Sequence, residues 1–284
     1  MTRTDEGSLS TAGLTSVTAT VKFGAPVDGR ARYDSYQREK TNMALTPETV
    51  EIYDARPLRE TLSLGENGFE LVDHRSEHAS STDVDVLDRD YHADMIELVR
   101  TVTGAAHVLP QRSGLLLRRV DGTIAEKVAK PAGFAHLDYT EVSAATMADL
   151  VRAAEDPDGV VPAGSPFAIV QTWRAVSEPE HDSMLALCDG RTVQEPFWMV
   201  ADSVIGPEDV PGNSLELRLG TPSPDQRWFY FSGMNEAEVL VFNGFDSRKP
   251  NKVNVLHTSF RMPDELGPLH PRASIEARFV VYFD

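Results

Sequence analysis

The alternation of hydrophobic and polar residues predicts a chain built mainly from short β-strands. From Val17 to Phe23 every second residue is hydrophobic, which is the period of a strand with one buried face. Two short extended segments are predicted at residues 51–54 and 69–72. Further strands are predicted at residues 113–120, 167–176, 184–188, 197–204, 214–219, 227–232, 237–243, 252–260 and 274–283.

Two segments have the spacing of amphipathic helices instead. Between Asp85 and Thr103 hydrophobic residues recur at about 3.6-residue intervals, and Gly104 is a stop signal. A second helix is predicted around Ser143–Ala154, with Ser143 as a candidate N-cap. Proline and glycine clusters separate the many short strands, and this organisation predicts a β-sandwich or barrel with flanking helices.

Length and composition favour one folded domain. The chain has 284 residues, of which 41% are hydrophobic, and β-sandwiches of this size commonly remain single domains. Residues 1–14 are rich in serine, threonine and glycine, which predicts a mobile N-terminus. We find no internal repeat and no boundary in the sequence, and we therefore predict a single domain over residues 15–284.

Charge and cysteine content restrict the partners and the compartment. A net charge of −17 argues against a nucleic-acid partner, because a phosphate backbone requires a basic face. The single cysteine, Cys188, excludes an intrachain disulfide, which fits a reducing cytoplasm. The N-terminal sequence lacks the apolar segment of a signal peptide, and no run approaches the ~18 apolar residues of a membrane span. We expect a cytoplasmic protein without a membrane partner, and its oligomeric state stays open.

His136, Asp138 and His257 form a candidate metal site. On a strand, His136 and Asp138 point to the same side, so both side chains can reach one ion. His257 lies in a predicted strand and shares a face with Val255. Two imidazoles and a carboxylate form the facial triad that holds non-haem Fe(II) and leaves three positions for a co-substrate and O2.

A basic segment follows the second histidine and is a candidate site for a carboxylate co-substrate. Arg272, Ser274 and Arg278 share a strand face by period two, together with Glu276. An arginine can pair with a carboxylate through two hydrogen bonds, and a neighbouring hydroxyl can add one. We favour Arg272 with Ser274 as the clamp for 2-oxoglutarate, and Arg278 remains the alternative.

Trp173 and Arg174 are candidate substrate residues with opposite orientations on one predicted strand. Trp173 is expected in the core or in the wall of a pocket. Arg174 can hold a substrate carboxylate or pair with one of the many acidic residues of the chain, and the sequence leaves this choice open.

The ordered motifs resemble those of the Fe(II)/2-oxoglutarate-dependent oxygenases, and more closely the CmcJ/NvfI (AsaB-like) family of secondary metabolism. The resemblance extends over roughly residues 65–283. Its matching stretches are Gly68–Leu71, Thr103–Ala105, His136–Thr140, Trp173–Arg174, Leu185–Asp189, Phe245–Ser247, His257–Phe260 and Ser274–Arg278.

The resemblance implies a double-stranded β-helix, the cupin-like jelly-roll core, with Fe(II) at its open mouth. It also implies oxidation of a small natural-product intermediate by O2, coupled to conversion of 2-oxoglutarate to succinate and CO2. The sequence leaves two alternative functions open. The first is a cupin-like binding protein without catalysis, and the second is a metal enzyme that uses the same triad without 2-oxoglutarate.

Overall fold

The structure is a computed structural model that describes residues 9–119, 128–129, 131–193, 197–248, 255–263, 265 and 267–284. This described part contains sixteen strands in two curled, mainly antiparallel sheets, together with three α-helices. The predicted jelly-roll fold class with flanking helices is therefore confirmed.

The strands of each sheet have the following spatial order, from one edge to the other. The nine-stranded sheet consists of β1 (Ser16–Ala25), β3 (Ala44–Asp54), β13 (Trp228–Tyr230), β10 (Ser183–Cys188), β15 (His257–Arg261), β8 (His136–Leu137), β12 (Ser214–Gly220), β11 (Trp198–Val204) and β2 (Ala31–Asp34). The seven-stranded sheet consists of β4 (Phe69–Asp73), β14 (Glu238–Asp246), β9 (Phe167–Ala175), β16 (Ala273–Tyr282), β6 (Leu116–Arg119) and β7 (Val128–Ala129), with β5 (His107–Pro110) also paired to β16.

Most predicted strands are present, with shifted ends. The strand predicted at 113–120 begins only at Leu116, because a 3-10 turn occupies Arg112–Gly114. The strand predicted at 252–260 is observed at His257–Arg261, and residues 252–254 lie outside the described residues. The short strands β2 and β5 were not predicted, because four-residue segments offer too few positions for a period to show.

The first predicted helix is confirmed and covers the outer face of the seven-stranded sheet. It comprises α1 (Val84–Val86), a π-helical turn (Leu87–Tyr91) and α2 (His92–Thr103). Gly104 ends it with a φ of 65°, a left-handed conformation that glycine adopts at low cost. The helical side chains pack on alternate residues of β9, β14 and β16, and the buried set includes Met95, Val99, Val170, Val241, Ile275, Ala277, Phe279 and Val281.

The second predicted helix is α3 (Glu141–Glu155), and its N-cap differs from the prediction. Thr140 is the N-cap, and its side-chain oxygen accepts a hydrogen bond from the backbone N–H of Ser143. Ser143 is the third helical residue, and its hydroxyl accepts from the backbone N–H of Thr140 at 2.9 Å. The two residues form a reciprocal capping box. The predicted N-cap, Ser143, is therefore the partner of the N-cap residue and not the N-cap itself.

Helix α3 packs at one end of the inner face of the seven-stranded sheet, beside the candidate metal site. Its Ala144, Met147 and Val151 are buried against Ile169 and Val280. The inner face of β16 therefore changes character along its length. Toward the C-terminal end of the strand, under α3, this face is hydrophobic. Earlier in the strand it carries three buried or half-buried polar side chains, Ser274, Glu276 and Arg278.

The nine-stranded sheet curls back on itself, and its ends support the segment that leads into β8. The backbone N–H of Ala135 donates to the carbonyl of Lys22 in β1 at 2.8 Å. A Cβ on Gly24 would lie 2.7 Å from the Leu219 side chain, so β1 and β12 can approach this closely only with glycine there. The curl positions the start of β8, which carries His136 and is followed directly by Asp138.

The described residues include only part of the predicted mobile N-terminus, residues 1–14. Residues 1–8 lie outside the described residues, whereas Leu9 and Leu14 pack against the main core. Within the ranges that the structure describes, none of the helices has both the length and the apolar character required to cross a bilayer.

Candidate metal centre and its pocket

The three candidate ligands converge on one face of the nine-stranded sheet. His136 on β8 lies directly opposite His257 on β15, and their ring centroids are 4.3 Å apart. Asp138 follows β8 and stays on the same side as His136. The ligand atoms of the three residues lie within 4.8 Å of one another, and they form the one such cluster found among the described residues.

Backbone hydrogen bonds determine which imidazole nitrogen is available in each histidine. Nδ1 of His136 lies 2.9 Å from the carbonyl oxygen of Phe134, and Nδ1 of His257 lies 2.9 Å from that of Val255. A carbonyl oxygen only accepts, so each Nδ1 carries a hydrogen, and Nε2 is the nitrogen of each ring that a metal ion can reach. This second hydrogen bond is the usual way in which a metal-binding histidine is oriented.

Asp138 completes the triad with one oxygen atom that lacks a hydrogen-bond partner. Its Oδ1 is 3.7 Å from Nε2 of His136, and its Oδ2 is 3.4 Å from Nε2 of His257. Oδ2 is buried without any hydrogen-bond partner in the described part of the chain. A buried carboxylate beside two imidazole nitrogens is a donor set that a divalent cation would satisfy.

The electrostatics of the cluster keep two of its donors, His136 and Asp138, in the forms that bind a metal. Burial, followed by the neighbouring His257 ring, lowers the pKa of His136 to about 4, so this imidazole is neutral at physiological pH. Burial alone would raise the pKa of Asp138, but opposing interactions, led by the Arg278 guanidinium, hold it well below its usual range. A neutral imidazole and an ionised carboxylate are the protonation states that metal ligation requires.

A small pocket, with a cavity volume of about 30 Å³, opens beside the two histidines. Its walls combine aromatic and aliphatic side chains with two arginines and one glutamate. The lining residues are Arg118, Pro131, Ala132, His136, Trp173, Leu185, Phe242, His257, Thr258, Ser259, Arg272 and Glu276.

Arg272 is the buried cation of this pocket. It is 2% exposed, and its Nε has no hydrogen-bond partner among the described residues. Its Nη1 donates to Oγ of Ser259 at 3.3 Å, and its guanidinium carbon lies 5.6 Å from the centroid of the Trp173 ring. Burial lowers the pKa of Arg272 to about 10, so the guanidinium is still charged at neutral pH. Glu276, the acidic residue that lines the pocket, pairs with Arg118 and Arg278. An anion from solution can therefore pair with Arg272.

The other two predicted clamp residues lie on the same strand face but have different surroundings. Arg278 donates from Nε to Oε1 of Gln171 at 2.9 Å, and its Nη2 contacts Glu276 and Oδ1 of Asp138. It does not line the pocket. Ser274 is fully buried on β16, two residues from Arg272.

Trp173 and Arg174 have the opposite orientations that the strand predicts. Trp173 forms a wall of the pocket. Arg174 lies on the other face of β9, where it donates to the hydroxyl of Tyr91 at 3.2 Å and to the backbone carbonyl of His74 at 2.8 Å. Arg174 thus connects the sheet to the helix on its outer side, and its placement does not support a role in substrate binding. Nor does it form the alternative ion pair with any described acidic residue.

Several residues of the site were not predicted. Ser259 lies two residues after His257, and Gln171 lies two residues before Trp173, so each shares a strand face with a predicted site residue. The period-two rule could have identified both. Arg118 contributes from β6, whose pairing with β16 the sequence does not reveal, and it lies 3.4 Å from Glu276.

Fold and site together define a non-haem iron oxygenase, and comparisons with known proteins agree. A similar chain is the Fe(II)/2-oxoglutarate-dependent dioxygenase nvfI of Aspergillus novofumigatus, with 28% identity over 86% of each chain. Another is the hydroxylase/desaturase CTB9 of Cercospora beticola, with 30% identity over 83% of this chain and 76% of that protein. A solved structure of the iron and alpha-ketoglutarate-dependent endoperoxidase NvfI has a TM-score of 0.78, with 25% identity, and covers 95% of this chain and 98% of its own.

A family model described as the oxidoreductase/YMDC permease-like domain matches residues 21–282. The chain belongs to this family, and it is a Fe(II)/2-oxoglutarate-dependent oxygenase like the relatives named above. Fe(II), 2-oxoglutarate and O2 are therefore its cofactor and co-substrates. The two alternatives drawn from the sequence, a binding protein without catalysis and an enzyme independent of 2-oxoglutarate, are not favoured by these relatives.

Proposed function

We propose that the protein oxidises a C–H bond of a small natural-product intermediate, with Fe(II) held by His136, Asp138 and His257. When bound, Fe(II) supplies the activation of O2, driven by conversion of 2-oxoglutarate to succinate and CO2. The observation that carries the assignment is the convergence of His136, Asp138 and His257, whose ligand atoms lie within 4.8 Å of one another, with Oδ2 of Asp138 buried and without a hydrogen-bond partner among the described residues. Relatives named as a hydroxylase/desaturase and as an endoperoxidase support an oxidative outcome of this kind.

Arg272 is the proposed clamp for the far carboxylate of 2-oxoglutarate, with Ser274 beside it. Its guanidinium reaches the pocket that the two histidines line, and it has no carboxylate partner among the described residues. Arg278 is the weaker candidate, because its donors are directed to Gln171, Glu276 and Asp138. A bidentate arginine–carboxylate pair would also fix the orientation of the co-substrate.

The apolar walls exclude water from the reacting positions. Phe242 packs edge-on against His257 with ring centroids 5.0 Å apart, and Trp173 and Leu185 line the same pocket. Exclusion of water strengthens the proposed ion pair between Arg272 and the carboxylate of 2-oxoglutarate, and it limits side reactions of the activated oxygen. The chain thereby orients its ligands, while the metal supplies the reactivity.

We further propose that residues 15–284 act as one domain in the cytoplasm, on a small molecule and not on nucleic acid. The single cysteine and the net charge of −17 support this setting.

The experiment that tests the proposal measures succinate from 2-oxoglutarate in the presence of Fe(II) and O2, for the wild type and for His136→Ala and Asp138→Ala. We expect turnover in the wild type and none in either variant. Full succinate formation in Asp138→Ala would reject the ligand assignment. Because the substrate is not needed for slow uncoupled turnover, a library of candidate natural products can then be screened for an increased rate.

A further inference from the structure

Arg278 is a half-buried arginine directed at a proposed metal ligand and not at the pocket. Its Nη2 lies 3.4 Å from Oδ1 of Asp138, and both side chains are 15% exposed. Two of its three nitrogens are engaged, because Nε donates to Gln171 at 2.9 Å and Nη2 also donates to Glu276. A guanidinium engaged in this way has a fixed position relative to Asp138.

The two oxygens of Asp138 therefore have different surroundings. Oδ1 faces the Arg278 guanidinium, whereas Oδ2 is buried without a hydrogen-bond partner among the described residues and lies 3.4 Å from Nε2 of His257. An arginine that occupies one carboxylate oxygen leaves the other as the metal donor. The pair thus sets which atom of Asp138 is available.

We propose that Arg278 is a positioning residue that holds Oδ1 of Asp138, so that Asp138 binds Fe(II) through Oδ2 alone. This inference rests on the proposed function, because it concerns the same metal site. It assigns Arg278 a role distinct from that of Arg272, which binds the co-substrate.

One-atom ligation by Asp138 has a chemical consequence. Three protein donor atoms leave three positions on a six-coordinate ion, which the co-substrate and O2 require. A carboxylate that ligates through both oxygens would occupy one of these positions. Arg278 prevents this by competing for Oδ1 with a charge-assisted hydrogen bond.

The stem of Arg278 is also held by close packing. A Cβ on Gly114 would lie 3.1 Å from both Cβ and Cδ of Arg278, so the glycine backbone lies directly against the stem. The guanidinium is fixed by Gln171 and Glu276 at its far end and by Gly114 along its stem. Gly114→Ala would press on the stem and displace the guanidinium while keeping its charge.

Glu276 balances the positive charge beside the metal site. It accepts from Arg278, and its Oε2 lies 3.4 Å from Nη2 of Arg118. Burial alone would lower the pKa of Arg278, but the carboxylates of Asp138 and Glu276 more than reverse this effect. The guanidinium is therefore a permanent charge that does not titrate near neutral pH.

The test compares Arg278→Gln, within β16, with Arg272→Gln, just ahead of β16, a matched change that removes one positive charge. Anaerobic Fe(II) affinity is measured by competition with a coloured chelator, and 2-oxoglutarate affinity by calorimetry on Mn(II)-saturated protein. For Arg278→Gln we expect Fe(II) affinity to fall by about 10- to 100-fold, as for other residues that orient metal ligands, with 2-oxoglutarate affinity unchanged once the metal site is full. For Arg272→Gln we expect the reverse.

Two further variants separate positioning from a general loss of structure. Arg278→Lys keeps a charge that can approach Asp138, so we expect it to recover part of the Fe(II) affinity lost in Arg278→Gln. Gly114→Ala keeps the arginine, and we expect weaker Fe(II) binding in a protein with wild-type circular dichroism. Equal losses for Arg278→Lys and Arg278→Gln, with wild-type Fe(II) binding by Gly114→Ala, would overturn the positioning role.

The outcomes also separate this inference from the proposed function. If Arg278→Gln weakens 2-oxoglutarate binding and leaves Fe(II) affinity unchanged, Arg278 is the clamp and the positioning role is overturned, while the oxygenase site stands. If the wild type itself does not bind Fe(II) at His136, Asp138 and His257, the proposed function fails, and the positioning role fails with it.

Discussion

Removal of the Arg272 guanidinium is the sharpest test of the co-substrate site. Arg272→Ala removes a buried cation whose Nε has no hydrogen-bond partner in the part of the chain that the structure describes, and whose Nη1 makes a 3.3 Å contact to Ser259. Two charge-assisted hydrogen bonds to a carboxylate contribute about 1.5 kcal/mol each at the low end, or roughly 3 kcal/mol together. Since about 1.4 kcal/mol corresponds to a tenfold change in affinity, we expect 2-oxoglutarate binding to weaken on the order of 100-fold.

The assay is calorimetric titration of 2-oxoglutarate into Mn(II)-loaded protein, which avoids turnover and needs no substrate. Arg272→Lys is the conservative comparison, because it retains the charge but loses the forked geometry, and we expect an intermediate loss. Metal affinity is measured in parallel and is expected to stay at the wild-type level. Wild-type 2-oxoglutarate affinity in Arg272→Ala would refute the clamp and the reasoning from unpaired buried charge.

Three further predictions concern the ligands, the helices and the cysteine. His257→Ala is expected to abolish Fe(II) binding in equilibrium dialysis, and retention of one tightly bound Fe(II) per chain would contradict its role. Met95→Ala, which removes a fully buried side chain of α2, is expected to lower the free energy of unfolding by about 2–5 kcal/mol in urea denaturation. A loss below about 1 kcal/mol would show that this helix is not part of the cooperative core. Burial raises the pKa of Cys188 to about 12, so the folded protein at pH 8 should not react with a thiol reagent until it unfolds; rapid reaction of the native state would be inconsistent with this burial.

Much of the site could be predicted because it lies on strands, where a period of two assigns side chains to faces. His136 and Asp138 are two residues apart, and Ser274, Glu276 and Arg278 follow the same rule. The rule correctly separated Trp173, in the pocket wall, from Arg174, on the outer face. What it could not supply was the distance between strands that are far apart in sequence.

The distinct surroundings of Arg272 and Arg278 illustrate that limit. Both arginines belong to one face of one segment, and the sequence left the choice of clamp open. The structure distinguishes their contacts because Gln171 on β9 and Asp138 after β8 lie beside Arg278, whereas Arg272 lies beside Trp173. These neighbours depend on strand pairings such as that of β9 with β16, which join residues about a hundred positions apart.

Local signals at helix ends were informative where one residue decided the geometry. Gly104 was predicted as the end of the first helix, and its positive φ explains why a glycine is needed there. At α3 the side chains of both Thr140 and Ser143 form hydrogen bonds in the capping box, so the sequence alone does not show which of the two is the N-cap.

Absorption spectroscopy of the anaerobic protein with Fe(II) and 2-oxoglutarate tests the central claim most directly. A 2-oxo acid chelated to Fe(II) gives a weak charge-transfer band in the visible region, and the band requires both the triad and a bound co-substrate. We predict that this band forms in the wild type and is lost in Asp138→Ala at equal protein and metal concentrations. Absence of the band from folded, Fe(II)-loaded wild-type protein would contradict the proposed site.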